Sequence, residues 1–173
     1  MSRRILIVCR NNICRSPAAE AVLRRRLERH GLDRRVEVDS AGTHAYHLGE
    51  GVETRTARAA LSRGYCLAAH RARRIAWQDF EYFDLILAID RGVLEELQRM
   101  AALSNRPDAR IELLTHHAAE HRDDDVPDPY LSLGATFDAV FDMLEDAAAG
   151  LVPTLAAEPC KRPLDTPPAA EPE

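Results

Sequence analysis

Four apolar residues, Ile5-Leu6-Ile7-Val8, lead directly into Cys9-Arg10-Asn11-Asn12-Ile13-Cys14-Arg15-Ser16-Pro17, and a helical pattern opens at once. No other stretch constrains the fold as much. A short β-branched run without polar alternation predicts a strand covered on both faces, and such strands belong to parallel sheets. The strand is expected over residues 4–9. Ser16 suits an N-cap and Pro17 the first helical position, so a helix is expected from there to about His30, stopped by Gly31.

The remaining chain repeats the alternation. Strands are expected over 36–40, 85–89 and 110–114, and helices over 53–63, 93–102 and 136–149, with Gly64 and Gly150 as stops. Residues 72–77 and 79–83 read as short helical pieces, and 115–133 as a loop rich in His, Asp and Pro. The expected fold is α/β: one domain, a four-stranded parallel sheet with helices on both faces, doubly wound and flavodoxin-like. The domain is expected over residues 1–152. Six of ten prolines lie beyond residue 152, so 153–173 is expected to be a disordered tail.

Ligands of such sheets bind outside the carboxyl ends of the strands, which is where Cys9 falls. A strand-to-helix turn leaves N–H groups unsatisfied, and the helix dipole adds positive character. A field of that kind favours the thiolate form of a cysteine. Arg15 can grip two oxygens of a tetrahedral oxyanion, because its guanidinium is planar and always charged. Ser16 can donate to the thiolate, and Asn11 and Asn12 tolerate left-handed backbone. The pattern is that of a reactive thiol in an anion nest.

The bulk properties agree with an ordinary enzyme-sized domain. The chain has 173 residues, 23 basic against 28 acidic, and a net charge of −5. That balance predicts no general affinity for nucleic acid or anionic membrane. The apolar run before Cys9 is too short for a signal core or a membrane span, so a cytoplasmic location without membrane insertion is expected. Four cysteines without a secretory signal point to catalytic or redox use of the close pair, Cys9 and Cys14, rather than a disulfide framework.

Several ordered motifs then resemble one family. Cys9 through Pro17 followed by Ala19-Glu20 is similar to the phosphate loop of low-molecular-weight protein tyrosine phosphatases. Asp39-Ser40-Ala41-Gly42-Thr43 and Tyr46-His47-Leu48-Gly49 resemble its second strand and rim. His70-Arg71-Ala72-Arg73 and Phe83 to Asp90 resemble its middle, and Asp128-Pro129-Tyr130 its general-acid loop.

The resemblance implies that Cys9 is the nucleophile, Arg15 the transition-state clamp and Asp128 the general acid. It also implies phosphate-loop roles for Arg10, Asn11, Asn12, Ile13, Cys14 and Ser16. Asn12, Ser16, Ser40 and His70 would brace the loop, and Ile13, Tyr46 and Tyr130 would form the substrate rim. Cys14 would be a redox guard that captures a Cys9 sulfenic acid as a disulfide. The implied reaction is hydrolysis of phosphotyrosine and small aryl phosphates through a cysteinyl-phosphate, with no metal and no cofactor. The implied partner is a phosphotyrosine-containing protein, a bacterial tyrosine kinase by analogy, with phosphate and other oxyanions as product or inhibitors.

Two other activities share this architecture. Arsenate reduction needs a relay of further cysteines, and Cys66 and Cys160 are not placed for one. Protein-arginine phosphatases of the family carry a small Thr where this chain has Ile13, which favours a flat phenyl ring. The family usually has Gly at Asn11 and often Trp at Tyr46. Leu131 replaces a second Tyr found in some members, which argues against regulation through a tyrosine pair. His116, His117 and His121 with Asp123–Asp125 are expected to be a solvated polar loop rather than a metal site, and Arg71, Arg73 and Arg74 a solvated face.

Overall fold

The computed structural model describes residues 3–104, 109–130 and 136–158. Its sheet has four parallel strands, β1 (Arg3–Cys9), β2 (Val36–Gly42), β3 (Leu85–Ala88) and β4 (Arg110–Leu113), in the order β2-β1-β3-β4. Central β1 pairs Ile7 with Ser40 on one side and with Leu87 on the other. Every residue of β1 and β3 is buried, which explains their unbroken apolar runs. Edge strand β2 alternates instead, with Glu37 turned to solvent between buried Val36 and Val38.

Ile5 and Ile7 of β1 face one core, shared with Leu23 and Leu27 of α1 (Arg15–Arg29) and Phe141 and Leu144 of α5 (Phe137–Ala157). Leu6 and Val8 face the opposite core. That core is closed by Phe80 of α3 (Asp79–Tyr82) and by Val93 and Leu97 of α4 (Arg91–Leu103). The remaining helix, α2 (Thr54–Ser62), adds Ala60 to the first core. The strand order reverses direction at β1, so the carboxyl ends of β1 and β3 flank the switch point where such sheets bind ligands.

Three local expectations are corrected. Gly150 does not end the last helix, which runs on to Ala157 through Pro153. A Cβ at position 150 would lie 1.7 Å from the carbonyl oxygen of His117, in the 3-10 turn Leu114–His117. Gly150 is therefore a close-approach residue inside a helix. Leu151, Val152 and Leu155 continue the core beyond it, so the domain extends past residue 152. The rest of the expected tail, 159–173, lies outside the described residues, as do Cys160 and Leu131.

Residues 72–77 are not helical. Arg74 forms a parallel bridge with Gly42, Gly42 N donates to Arg73 O at 2.9 Å, and Ile75 N donates to Gly42 O at 2.8 Å. These backbone groups are satisfied at the end of β2, which removes any need for a helix. Finally, α1 starts at Arg15 with Cys14 at the N-cap position, so Ser16 lies inside the helix rather than capping it, and no side chain caps the helix.

Candidate active site

The loop between β1 and α1 wraps the thiol of Cys9. Asn12 N approaches Cys9 Sγ at 3.2 Å and Ser16 Oγ lies 3.0 Å from it. Only Asn12 in this loop is left-handed, with φ of 56°. The expectation that Asn11 shares this conformation is corrected, since Asn11 has no positive φ. Among the described residues, the amides of Asn11, Ile13, Cys14 and Arg15 donate to no protein acceptor. Uncapped and converging, they form the concavity that suits an anion.

Asn12 is wholly buried and ties the loop to three other segments. Its Nδ2 donates to Ser16 Oγ at 2.9 Å and to Ser40 Oγ at 3.0 Å. Its Oδ1 accepts from Arg73 N at 2.9 Å, and its carbonyl lies 2.8 Å from His70 Nε2. A carbonyl accepts only, so His70 holds its proton on Nε2 here. Ser16, Ser40 and His70 thus all contact Asn12, the first two through its side chain and His70 through its carbonyl.

Sequence reasoning missed the next layer. Ser40 Oγ donates to Glu20 Oε2 at 2.7 Å, and Glu20 also pairs with Arg24 at 2.8 Å. Arg73 bridges Asp39 and Asp79, both at 2.9 Å, and Arg74 Nε donates to Thr43 O at 3.2 Å. Arg73 and Arg74 are therefore structural, not the solvated face expected. Gly42 lets the loop pass, since a Cβ there would sit 2.8 Å from Arg10 O and 3.1 Å from the carbonyl carbon of Asn11. Its place in the Ser-Ala-Gly-Thr turn is the only signal the sequence carried for that role.

Arg15 is buried and held in place. Its Nη1 donates to Asp90 Oδ2 at 2.7 Å and to Val126 O at 2.9 Å. Its Nη2 lies 3.5 Å from Asp128 Oδ2. The acid loop reaches the site because Val126 N donates to Ile89 O at 3.1 Å, just past β3. Tyr130 N then caps Asp128 Oδ1 at 3.0 Å. Asp90 does two jobs, because its Oδ1 also accepts from Val93 N at 2.8 Å as the N-cap of α4.

One cleft is lined by Cys9, Asn11, Ile13, Cys14, Arg15, Asp128 and Tyr130. Tyr46 does not line it; its exposed ring stacks on His44 with centroids 5.4 Å apart. Arg10 is likewise exposed and outside the cleft lining. Burial pushes the Cys14 thiol up to about 12, against the opposing effect of its hydrogen bond with Thr56. Cys66 is exposed. Among the described residues no group of His, Cys, Asp and Glu is arranged to hold a metal. In the histidine-rich loop, His117 is not fully solvated as expected; it is partly buried against Glu112 at 2.7 Å. No described helix is long and apolar enough to cross a membrane.

A thiol inside a ring of free amides, a fixed guanidinium and a carboxyl group across the same cleft can together bind and cleave a phosphate monoester. Comparison with known proteins agrees. The family model of low molecular weight phosphotyrosine protein phosphatase matches residues 4–161. A low molecular weight protein-tyrosine-phosphatase of Streptomyces coelicolor is 43% identical over 154 residues, covering 88% of this chain and 93% of that protein. The human low molecular weight phosphotyrosine protein phosphatase is 34% identical, covering 81% and 87%. The crystal structure of an Entamoeba histolytica protein tyrosine phosphatase with Hepes in the active site superposes with a TM-score of 0.83 at 35% identity, covering 90% and 97%. A Drosophila arginine phosphatase superposes with a TM-score of 0.82 at 31% identity, covering 90% and 99%. On its fold, its loop and these matches, the chain belongs to the low molecular weight phosphotyrosine protein phosphatase family.

Proposed function

We propose that Cys9, Arg15 and Asp128 carry a metal-independent, two-step hydrolysis of phosphotyrosine. The observation that supports it best is their convergence on one cleft from three distant parts of the chain. In the first step the Cys9 thiolate attacks phosphorus. The S–P bond forms, the P–O bond to the phenol breaks, and Asp128 gives its proton to the departing oxygen. In the second step water attacks the cysteinyl-phosphate, Asp128 takes a water proton, the S–P bond breaks, and phosphate leaves with the thiolate restored.

The equatorial oxygens gather negative charge in both transition states. The free loop amides and the Arg15 donors not engaged by Asp90 and Val126 would face that charge. Because these groups supply the positive potential, no metal is required. The contact of Asp128 with Arg15, at 3.5 Å, supports reading it as the acid that serves the leaving group.

Ile13 is buried and lines the same cleft. Its apolar side chain favours an aryl ring over a phosphoguanidinium, so phosphotyrosine is preferred to phosphoarginine, although the Drosophila arginine phosphatase shares the fold. Cys14 stands beside the nucleophile in this cleft and serves as its redox partner: a Cys9 sulfenic acid condenses with the Cys14 thiol, releasing water and forming a disulfide. Phosphotyrosine proteins in the cytoplasm are the proposed substrates.

The test is hydrolysis of p-nitrophenyl phosphate in excess chelator. Undiminished turnover is expected, and chelator-sensitive turnover would overturn the mechanism. Asp128→Ala should lower kcat by about 10²- to 10³-fold on phosphotyrosine. The loss should be smaller on p-nitrophenyl phosphate, whose leaving group needs less protonation.

A further inference from the structure

Beyond the catalytic cleft lies a shallow groove lined by Arg55, Arg58, Ala59, Ser62, Phe137 and Asp138. It adjoins the cleft through Tyr130, whose ring lines the cleft wall. The Arg55 guanidinium lies 5.5 Å from the centroid of that ring and 5.3 Å from that of Phe137. One cation therefore spans the step from cleft to groove, its freedom already reduced by two aromatic neighbours.

The charges along this path are unequal. Arg55 pairs with Glu53 at 2.8 Å, and Asp138 shares Arg63, at 3.3 Å, with Asp142 at 2.9 Å and Glu145 at 3.3 Å. Arg58 follows Arg55 by three residues, which puts both on one side of α2. It is exposed and has neither an ion pair nor a hydrogen bond among the described residues. The groove thus holds one guanidinium with no side-chain partner among the described residues, in a lining that also carries apolar Ala59 and Phe137 and the carboxylate of Asp138.

We propose that this groove reads an acidic side chain near the phosphotyrosine of a protein substrate, with Arg58 supplying the ion pair. The inference rests on the tyrosine phosphatase reading and narrows its substrate class. An extended peptide advances about 3.3 Å per residue, so a side chain within a few positions of the phosphotyrosine can reach past the cleft. An exposed pair of this kind gives a preference of about 2- to 5-fold.

The test is kcat/KM on phosphotyrosine peptides carrying Glu, Ala or Lys at each of four positions on either side. Wild type, Arg58→Ala and Arg58→Glu are compared, each normalised to p-nitrophenyl phosphate, which is too small to span the groove. Expected is a preference for Glu over Ala at one register, larger at low salt. It should disappear in Arg58→Ala and turn toward Lys in Arg58→Glu. Indifference to register in the wild type, or a Glu preference that survives Arg58→Glu, would overturn the inference while leaving the phosphatase reading intact. A wild-type protein that cleaves no phosphotyrosine peptide would overturn both.

Discussion

Two strand-to-helix junctions lie side by side at the same edge of the sheet, and they are finished differently. Where β3 passes into α4, Asp90 caps the helix through Val93 N. Where β1 passes into α1, no side chain caps the helix, and the loop amides stay free. The neighbours share a fold environment, so the difference lies in what each junction is for. A capped helix end is stabilised at the cost of its capacity to bind an anion. An uncapped one keeps its donors available and must draw its rigidity from elsewhere, here from Asn12, Ser16, Ser40 and His70. Asp90 links the two solutions, because its second oxygen fixes Arg15.

Substitutions at four positions bear on this contrast. The largest effect is expected for Cys9→Ser, which keeps the open junction and removes its nucleophile. Turnover of p-nitrophenyl phosphate should fall on the order of 10⁵-fold, while phosphate still protects the protein against thermal unfolding. Next, Asp90→Asn retains a good N-cap but weakens the hold on Arg15. It should lower kcat/KM by about 10-fold or more with little change in Tm, whereas Asp90→Ala should add a loss of about 1 kcal/mol from the cap. Equal Tm values for the two variants would break the assignment of a double role.

Gly42→Ala places a methyl group against the loop backbone. A cost of about 1–3 kcal/mol in urea unfolding, together with reduced turnover, is expected from overpacking. Unchanged activity would mean that the loop does not depend on its close passage over β2.

The smallest effect concerns Cys14, the residue at the N-cap position of α1. Its thiol is raised by burial from 9.0 to about 12, so the folded state favours the neutral form. The associated stability is complete below about pH 9 and is lost as pH rises toward 12. Tm measured across that window should fall more steeply for the wild type than for Cys14→Ala, and parallel curves would refute the linkage.

The central architecture was legible because Ile5–Val8 and Leu85–Ile89 are local statements: unbroken apolar runs can only be buried strands. Cys9, Arg15 and the residues that gather at Asn12 could be picked out through ordered motifs, and the fold brings them together. What escaped depends on partners remote in the chain. Gly150 looks like a stop in one dimension and is a point of contact with His117 in three. Ser16 has the chemistry of a cap, yet the helix starts one residue earlier, at Arg15, and leaves its hydroxyl inside the first turn beside the thiol and Asn12. Residues 72–77 follow a helical pattern, but an unsatisfied strand end at Gly42 takes their backbone groups instead. Asp90 and Glu20 are ordinary acidic residues until the fold brings Arg15 and Ser40 to them.

The tight passage of α5 over the 3-10 turn has a consequence for synthesis. α5 packs against α1, the first helix to be made, and its closest backbone approach is to a turn made only after β4. The face of the sheet that carries Ile5 and Ile7 is thus covered only in part, by α1 and Ala60 of α2, until α5 emerges from the ribosome. The nascent chain holds its nucleophile loop, sheet and acid loop before it can close that core. The core on that face is therefore expected to close only when α5 docks.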